Sequence, residues 1–352
     1  MTARTRETTL LGSSQSLAER YDVALLDLDG VVYLAEQPVP GAAEALAAAR
    51  ERGMRLAFVT NNASRTPDEV AALLRRVGVP ADPVEVVTSA QAAAHYLADR
   101  LPAGSPVLVL GATGLIDAVS ERGLRPVFSA GDRPVAVVQG FFPDISWRDL
   151  AEAAVAMRHG ATWLATNLDA TVPSPRGPLP GNGALVAALQ HAVGHPPVAA
   201  TGKPDPAMHA ESVERSGAKA PIVVGDRLDT DVEGATRVGC PSLLVLTGVT
   251  NAAMLLAAPP EHRPDYLGRD LAALLQPHPE VTVEAAEVRC GTAVVRPDGE
   301  ALLLAGVTDE LDGLRALAAA AWQAADAGRT VAGLRAEDEK SNKALQNFEL
   351  TG

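Results

Sequence analysis

The chain has 352 residues, with 30 Lys and Arg against 43 Asp and Glu and a formal net charge of −13. That length suits two or three domains, and an apolar fraction of 47% can fill their cores although only 3% of the residues are aromatic. The acidic balance argues against nucleic acid as the main partner, since neutralising a phosphate backbone takes a basic face, but it leaves room for a small anion at one locally positive site.

Two cysteines, Cys240 and Cys290, are too few for a disulfide framework or a cysteine-based zinc site and fit a reducing compartment. The opening MTARTRETTLLGSSQSLAER has no apolar core of signal-peptide length, and no run approaches the roughly 18 to 20 apolar residues of a membrane span. The expectation is a soluble, cytoplasmic protein with no membrane span.

Residues 1–20 are polar and aperiodic and read as a flexible tail. Val23 to Leu28 form an apolar run ending abruptly in Asp-Leu-Asp-Gly, the pattern of a buried strand with polar groups at its C-terminal end. A helix over Ala42 to Arg52 follows, stopped by Gly53, then a strand over Arg55 to Val59 ending in Thr60-Asn61-Asn62, then a helix from Pro67 to Val77. This strand–helix alternation predicts a parallel sheet. It restarts with strands at Val107–Leu110, Val135–Gln139 and Trp163–Thr166 and a helix at Trp147–His159. The proline-rich stretch from Asn167 to Asn182 should reverse the chain. From Ala184 a helix leads back to Lys203-Pro204, a helix through Arg215, a strand at Ile222–Val224 and Gly-Asp-Arg-Leu-Asp-Thr-Asp. Strands at Ser242–Leu246 and Asp265–Leu267 complete this set.

Beyond about 278 the pattern changes. Glu287–Arg296 and Glu300–Gly306 flank Pro-Asp-Gly, a hairpin signal, before a helix at Glu310–Ala327, a Gly-Arg-Thr strand and a charged helix. The order predicts a small, separate α+β extension at 281–352.

Four polar clusters fall at the C-terminal ends of predicted parallel strands, the edge where open α/β sheets bind ligands. They are Asp27 with Asp29, Thr60 with Asn61 and Asn62, Lys203, and Asp226 with Asp231. Crowded carboxylates repel one another unless a cation lies between them, and an all-oxygen donor set favours magnesium over zinc or copper. Such a group suits phosphoryl transfer. One carboxylate can attack phosphorus in line, and the second, two residues on, can protonate the leaving oxygen and then activate water. The metal and Lys203 would neutralise the equatorial oxygens, with Thr60 and the backbone beyond it as further donors. Each cluster alone has a plain reading. DxDG is most often a turn or part of a calcium loop, Thr-Asn-Asn a helix cap, and Lys203 a solvated lysine. Their order and placement carry the joint reading.

Leu-Leu-Asp-Leu-Asp-Gly-Val-Val, Phe-Val-Thr-Asn-Asn-Ala-Ser, Thr-Gly-Lys-Pro-Asp-Pro and Val-Gly-Asp-Arg-Leu-Asp-Thr-Asp resemble the four signature motifs of the haloacid dehalogenase superfamily. The match is to its sugar-phosphatase and 4-nitrophenylphosphatase-like subfamily, and it covers about 21–276. It implies Asp27 as nucleophile and Asp29 as acid/base. It also implies Mg2+ held by the side chains of Asp27 and Asp226 and the backbone carbonyl of Asp29, phosphate held by Thr60, Asn61 and Lys203, and Asp231 supporting the metal site. The implied fold is a Rossmann-like α/β core with a parallel sheet and an inserted α/β cap.

Spacing locates the cap. Only 33 residues separate Asp27 from Thr60, enough for one strand–helix–strand unit, whereas 143 separate Thr60 from Lys203, enough for an inserted domain of about 100 residues. The expected division is a core at 21–82 and 181–277 and a cap at 83–180 that excludes water and selects the leaving group. Ala-Thr-Asn-Leu-Asp and Pro-Gly-Asn-Gly resemble segments that the subfamily turns toward its core site, so Asn167 and Asp169 are the expected substrate contacts. Loop capping is an equally good account of either one alone.

The chain also resembles actinobacterial glycerol-3-phosphate phosphatases, through Asn-Ala-Ser-Arg, Val-Val-Thr-Ser-Ala-Gln, Val-Val-Gln-Gly and Leu-Pro-Gly-Asn-Gly, and those proteins too carry a C-terminal extension. Glycerol 3-phosphate is therefore the expected substrate. Phosphoglycolate, a nucleoside monophosphate and pyridoxal phosphate are the alternatives within the reaction class. A phosphotransferase, or a binding protein on a phosphatase scaffold, are the rivals outside it. The histidines, among them His95, His159, His191, His195 and His209, do not pair at metal-ligand spacing and read as surface or satisfied residues. The extension's hairpin-then-helix order resembles part of an acetyltransferase-like fold but lacks a glycine-rich pyrophosphate loop. Its simplest role is an interaction or dimer-supporting appendage, with a homodimer left open.

Overall fold

The computed structural model describes residues 10–172, 174, 176–284 and 287–351. Two compact units account for them. The first holds residues up to 32, 39–56 and 218 onward; the second holds 33–38 and 57–217.

In the first unit the strands Tyr266–Gly268, Ser242–Val245, Pro221–Gly225 and Val23–Leu26 lie in that order, all parallel. Their residues are buried almost without interruption, which is why these segments read as solid apolar runs rather than alternating ones. Leu26 is in register with Val224, so Asp27 and Asp226 leave the sheet at the same C-terminal edge. The Asp27 amide still donates to the Val224 carbonyl at 2.8 Å.

The extension belongs to this unit. Its strands Val281–Glu284, Glu287–Cys290, Ala293–Asp298, Ala301–Ala305 and Gly333–Ala336 form one sheet in chain order, antiparallel except for the last, parallel pair. The helix Glu310–Asp326 packs on it and on the residues before it. Leu304, Leu314, Leu317 and Trp322 share one hydrophobic cluster with Val232, Leu244, Leu255 and Leu267. The expected small α+β extension is present, and it shares its apolar core with residues 228–267. Arg263, 5% exposed, forks onto the Asp326 carboxylate at 2.7 and 2.8 Å and lies over the Trp322 ring.

Two details of the extension differ from expectation. Glu287–Arg296 is broken into two antiparallel strands at Gly291, whose φ is +55°. The Gly-Arg-Thr segment is not a strand, because Gly328 and Arg329 donate their amides to Ala325 and Ala324 and so close the preceding helix. The strand begins later, at Gly333.

The expected tail is likewise revised from Leu10 onward; residues 1–9 lie outside the described residues. Leu10 and Leu17 are buried, Ser13 pairs in an antiparallel bridge with His278, and a helical turn spans Leu17–Arg20. Two leucines seven apart in a polar background are too sparse a pattern to be read as periodicity.

The second unit carries a five-stranded parallel sheet in the order Ala199–Ala200, Thr162–Ala165, Ala136–Gln139, Pro106–Leu110, Arg125–Val127. Alternation along the strands loads both faces. Val107, Val109, Val138 and Leu164 pack with the helices Ser89–Ala98 and Thr113–Glu121. Leu108, Leu110, Val137 and Trp163 pack with Trp147–Arg158 and Asn182–Val193. Val186 and Leu189 of that last helix lie in the same cluster as the sheet, so the packing carries the inserted layer past 180 to Ala200. Elsewhere in this unit Phe58–Thr60 pair in parallel with Val86–Thr88. The chain reversal expected over Asn167–Asn182 is made by a short antiparallel pair, Thr171–Val172 with Leu179–Pro180; Pro173 and Pro175 lie outside the described residues. No helix among the described residues is long and apolar enough to cross a membrane.

Candidate active site

Each unit contributes its own group of expected site residues. In the first, Asp27, Asp226 and Asp231 each offer a carboxylate oxygen, and these atoms lie within 4.8 Å of one another. Asp226 and Asp231 are fully buried and Asp27 is half-buried. Three carboxylates at that separation in a dry setting repel strongly unless they share a cation or a proton.

Local backbone explains how they converge. Asp27 follows the strand Val23–Leu26, and the chain then turns tightly, with the Val31 and Val32 amides bonded to the Leu28 carbonyl and Gly30 at φ +88°. Asp226 follows the strand Pro221–Gly225, where its carboxylate accepts from the Val249 amide at 2.6 Å. Asp231 sits in a single wide turn, Leu228–Val232, and folds back to accept from the Arg227 amide at 3.1 Å.

Three glycines make the crowding sterically feasible. A Cβ on Gly30 would stand 2.6 Å from Asp226 Oδ2, one on Gly248 would stand 2.0 Å from the same oxygen, and one on Gly225 would stand 2.2 Å from Asp231. The donor set is all oxygen, compact and ringed by backbone, which fits a small hard dication such as magnesium. Asp29 is half-buried, two residues beyond Asp27 on the same turn.

In the second unit Thr60, Asn61, Asn167, Asp169 and Lys203 come together. Thr60 is buried at the end of the strand Arg55–Thr60, and its Oγ1 accepts from the Asn62 amide at 3.1 Å. That turns its hydroxyl proton into the group it can offer a ligand. Lys203 is 4% exposed, and its Nζ donates to the Val59 carbonyl at 3.1 Å.

The Asn61 side chain pairs with the main chain of Lys203 in both directions. Oδ1 accepts from the Lys203 amide at 2.7 Å, and Nδ2 donates to the Lys203 carbonyl at 3.1 Å. Nδ2 also donates to both carboxylate oxygens of Asp169, at 3.2 and 3.1 Å. Asn167 is buried; its Nδ2 donates to the Asn61 carbonyl at 2.7 Å and its Oδ1 accepts from the Asp169 amide at 3.2 Å. Both ends of the Asn167 carboxamide thus meet protein partners. Asn61, expected on phosphate, directs its carboxamide to Lys203 and Asp169.

Sequence reasoning missed Asn182. This buried residue donates to the Asn167 carbonyl at 2.8 Å, and the signal for it was the Pro-Gly-Asn-Gly segment. Gly248 and Val249 were missed as well; no spacing rule tied them to Asp226.

His209 departs from the expected surface or satisfied role. It is 1% exposed, neither ring nitrogen meets a partner among the described residues, and burial, reinforced by the Lys203 charge, pushes its pKa down to about 3. Cys240 is a buried small residue, with its thiol pushed up to about 11 by burial.

Comparison with known proteins gives three family matches: a haloacid dehalogenase-like hydrolase model over residues 24–125, a related HAD-hydrolase-like model over 200–274, and a GCN5-related N-acetyltransferase-like domain over 290–350. The D-glycerol 3-phosphate phosphatase of Mycobacterium tuberculosis is 46% identical over 343 residues, 96% of each chain. An acid sugar phosphatase of Staphylococcus aureus is 36% identical over 66% of this chain and 89% of its own. Among solved structures, the glycerol phosphate phosphatase of M. tuberculosis in complex with magnesium superposes with a TM-score of 0.86 at 44% identity, over 96% of this chain and 99% of that one. A 4-nitrophenylphosphatase of Thermotoga maritima gives 0.68 at 31% identity, over 74% and 98%.

Proposed function

Because the chain belongs to the haloacid dehalogenase-like hydrolases, we propose that it is a magnesium-dependent phosphatase acting on glycerol 3-phosphate through an aspartyl-phosphate intermediate. The observation that carries this reading is the convergence of Asp27, Asp226 and Asp231, with oxygens within 4.8 Å, where Asp27 ends a strand and Asp29 follows two residues on. The substrate rests on similarity across the full length to the mycobacterial glycerol-phosphate enzyme, extension included.

In this reading an Asp27 carboxylate oxygen attacks phosphorus, and the bond from phosphorus to the glycerol oxygen breaks. Asp29 gives its proton to the departing alkoxide. Asp29, now a carboxylate, takes a proton from water, whose oxygen attacks the phosphorus bound to Asp27. The Asp27–phosphoryl bond breaks, inorganic phosphate leaves and the Asp27 carboxylate is restored. Thr60 and Lys203 donate to the phosphoryl oxygens. Asp27, Asp226 and the Asp29 carbonyl would hold magnesium, with Asp231 in support; when bound, the ion neutralises negative charge on the phosphoryl group. The two buried, free cysteines support a reducing compartment, the cytoplasm, as its place of work.

The test is phosphate release by purified protein with and without magnesium, on glycerol 3-phosphate, phosphoglycolate, pyridoxal phosphate, UMP and 4-nitrophenyl phosphate, with Asp27→Asn as control. Magnesium-dependent turnover of glycerol 3-phosphate, abolished in the variant, is the expected result. Preference for another ester would keep the mechanism and replace the substrate. Binding without turnover would overturn the enzymatic reading.

A further inference from the structure

Resting on that reading, we propose that Asn61 is the positioning residue for Lys203, and that Asp169 fixes the orientation of the Asn61 carboxamide rather than contacting the leaving group.

An asparagine side chain has two ends of nearly equal shape, and only its partners decide which way it points. Asp169 as a carboxylate accepts and does not donate, so the end facing it must be the amide nitrogen. That leaves the oxygen to accept from the Lys203 amide, while the second Nδ2 proton reaches the Lys203 carbonyl. The main chain of Lys203 is thereby gripped at both its donor and its acceptor. A flipped carboxamide would set N–H against N–H and oxygen against oxygen.

The surroundings hold Asn61 in the same place. Its carbonyl accepts from Asn167 Nδ2 at 2.7 Å and from Ser89 Oγ at 2.6 Å. The Asn167 carbonyl accepts from Asn182, and the Asp169 carbonyl from the Gly183 amide at 2.8 Å. Gly202 is required for the approach, since a Cβ there would stand 2.5 Å from the Thr166 carbonyl and 2.7 Å from Asn61 Oδ1.

Lys203 acts on the phosphoryl group, which every substrate shares. A fault in its placement therefore slows all esters by the same factor, whereas a lost leaving-group contact discriminates among them. The experiment measures kcat/KM on glycerol 3-phosphate and 4-nitrophenyl phosphate for Asn61→Asp, Asp169→Asn and the double variant, with a thermal melt of each.

Asn61→Asp sets a carboxylate against Asp169 and against the Lys203 carbonyl, and is expected to lower kcat/KM about 100-fold on both esters. Asp169→Asn is expected to lower it about 10-fold on both, because the carboxamide of Asn61 is freed to flip. In the double variant the carboxamide introduced at position 169 can donate to the new carboxylate at 61, and about 10-fold of the Asn61→Asp loss should return. A loss in Asp169→Asn that differs between the two esters by more than about 10-fold would make Asp169 a leaving-group contact and overturn the proposal. So would a folded double variant no better than Asn61→Asp. If Asn61→Asp does not fold, the Asp169→Asn comparison on two esters decides alone. Failure of the unmodified enzyme to hydrolyse either ester would instead sink the parent reading, and this inference with it.

Discussion

Trp322 donates its indole N–H to the main-chain carbonyl of Leu255 at 2.8 Å, a buried bond between the last long helix and the helix Ala252–Leu256. With Arg263 paired to Asp326 beside it, the extension is joined to the preceding residues by both apolar and polar contacts. Trp322→Ala should therefore destabilise the whole unit by about 3 to 5 kcal/mol, the cost of emptying a large core site, with an orphaned carbonyl added. Urea denaturation monitored by circular dichroism measures this. A chain ending at residue 277 would expose Leu244, Leu255 and Leu267 and should aggregate on expression. A truncated chain that stays monodisperse and as stable as the full one would show that the shared core is dispensable.

The acidic cluster makes a sharper demand at Gly248. A methyl group there would meet Asp226 Oδ2 at 2.0 Å, too close for any real contact, and the neighbouring Val249 amide holds that same oxygen. Gly248→Ala must displace the Asp226 carboxylate. We expect magnesium to be required at concentrations about 10- to 100-fold higher for half-maximal activity, the usual penalty for disturbing the support of a metal ligand. An unchanged magnesium dependence would mean that Asp226 moves without consequence for the ion.

How much of this was legible follows from what a sequence displays. Asp27, Thr60 and Asp226 could be placed because each ends a buried apolar run, and the end of such a run in a parallel sheet is a definite location. The helix Glu310–Asp326 was legible from its apolar face, yet Leu314 and Leu317 do not announce that residues 228–267 cover them. The partners of Asn61 were illegible for a related reason: Asp169 and Lys203 lie 108 and 142 residues away, and hydrogen bonding between such positions leaves no periodic trace. The direction of Asn167 was illegible too: a polar side chain in a loop serves a ligand or its own backbone equally well, and its bonds to Asn61 and Asp169 show only in the fold.

His209 gives stability a pH dependence of definite sign. The unfolded imidazole takes up a proton below about 6.5, while the buried one resists until about 3, because burial and the Lys203 charge both disfavour the cation. Between those values the unfolded chain binds more protons, so stability present above about pH 6.5 is lost progressively as the pH falls toward 3. At pH 5, about 1.5 units below the unfolded value, the loss from this group is about 2 kcal/mol. His209→Leu removes the titration and breaks no hydrogen bond, since neither ring nitrogen has a partner among the described residues. Urea unfolding of both proteins at pH 7 and pH 5 should find the variant gaining about 2 kcal/mol on the parent between the two conditions. Parallel losses in both proteins would mean that the His209 ring is already charged or hydrated in the native state.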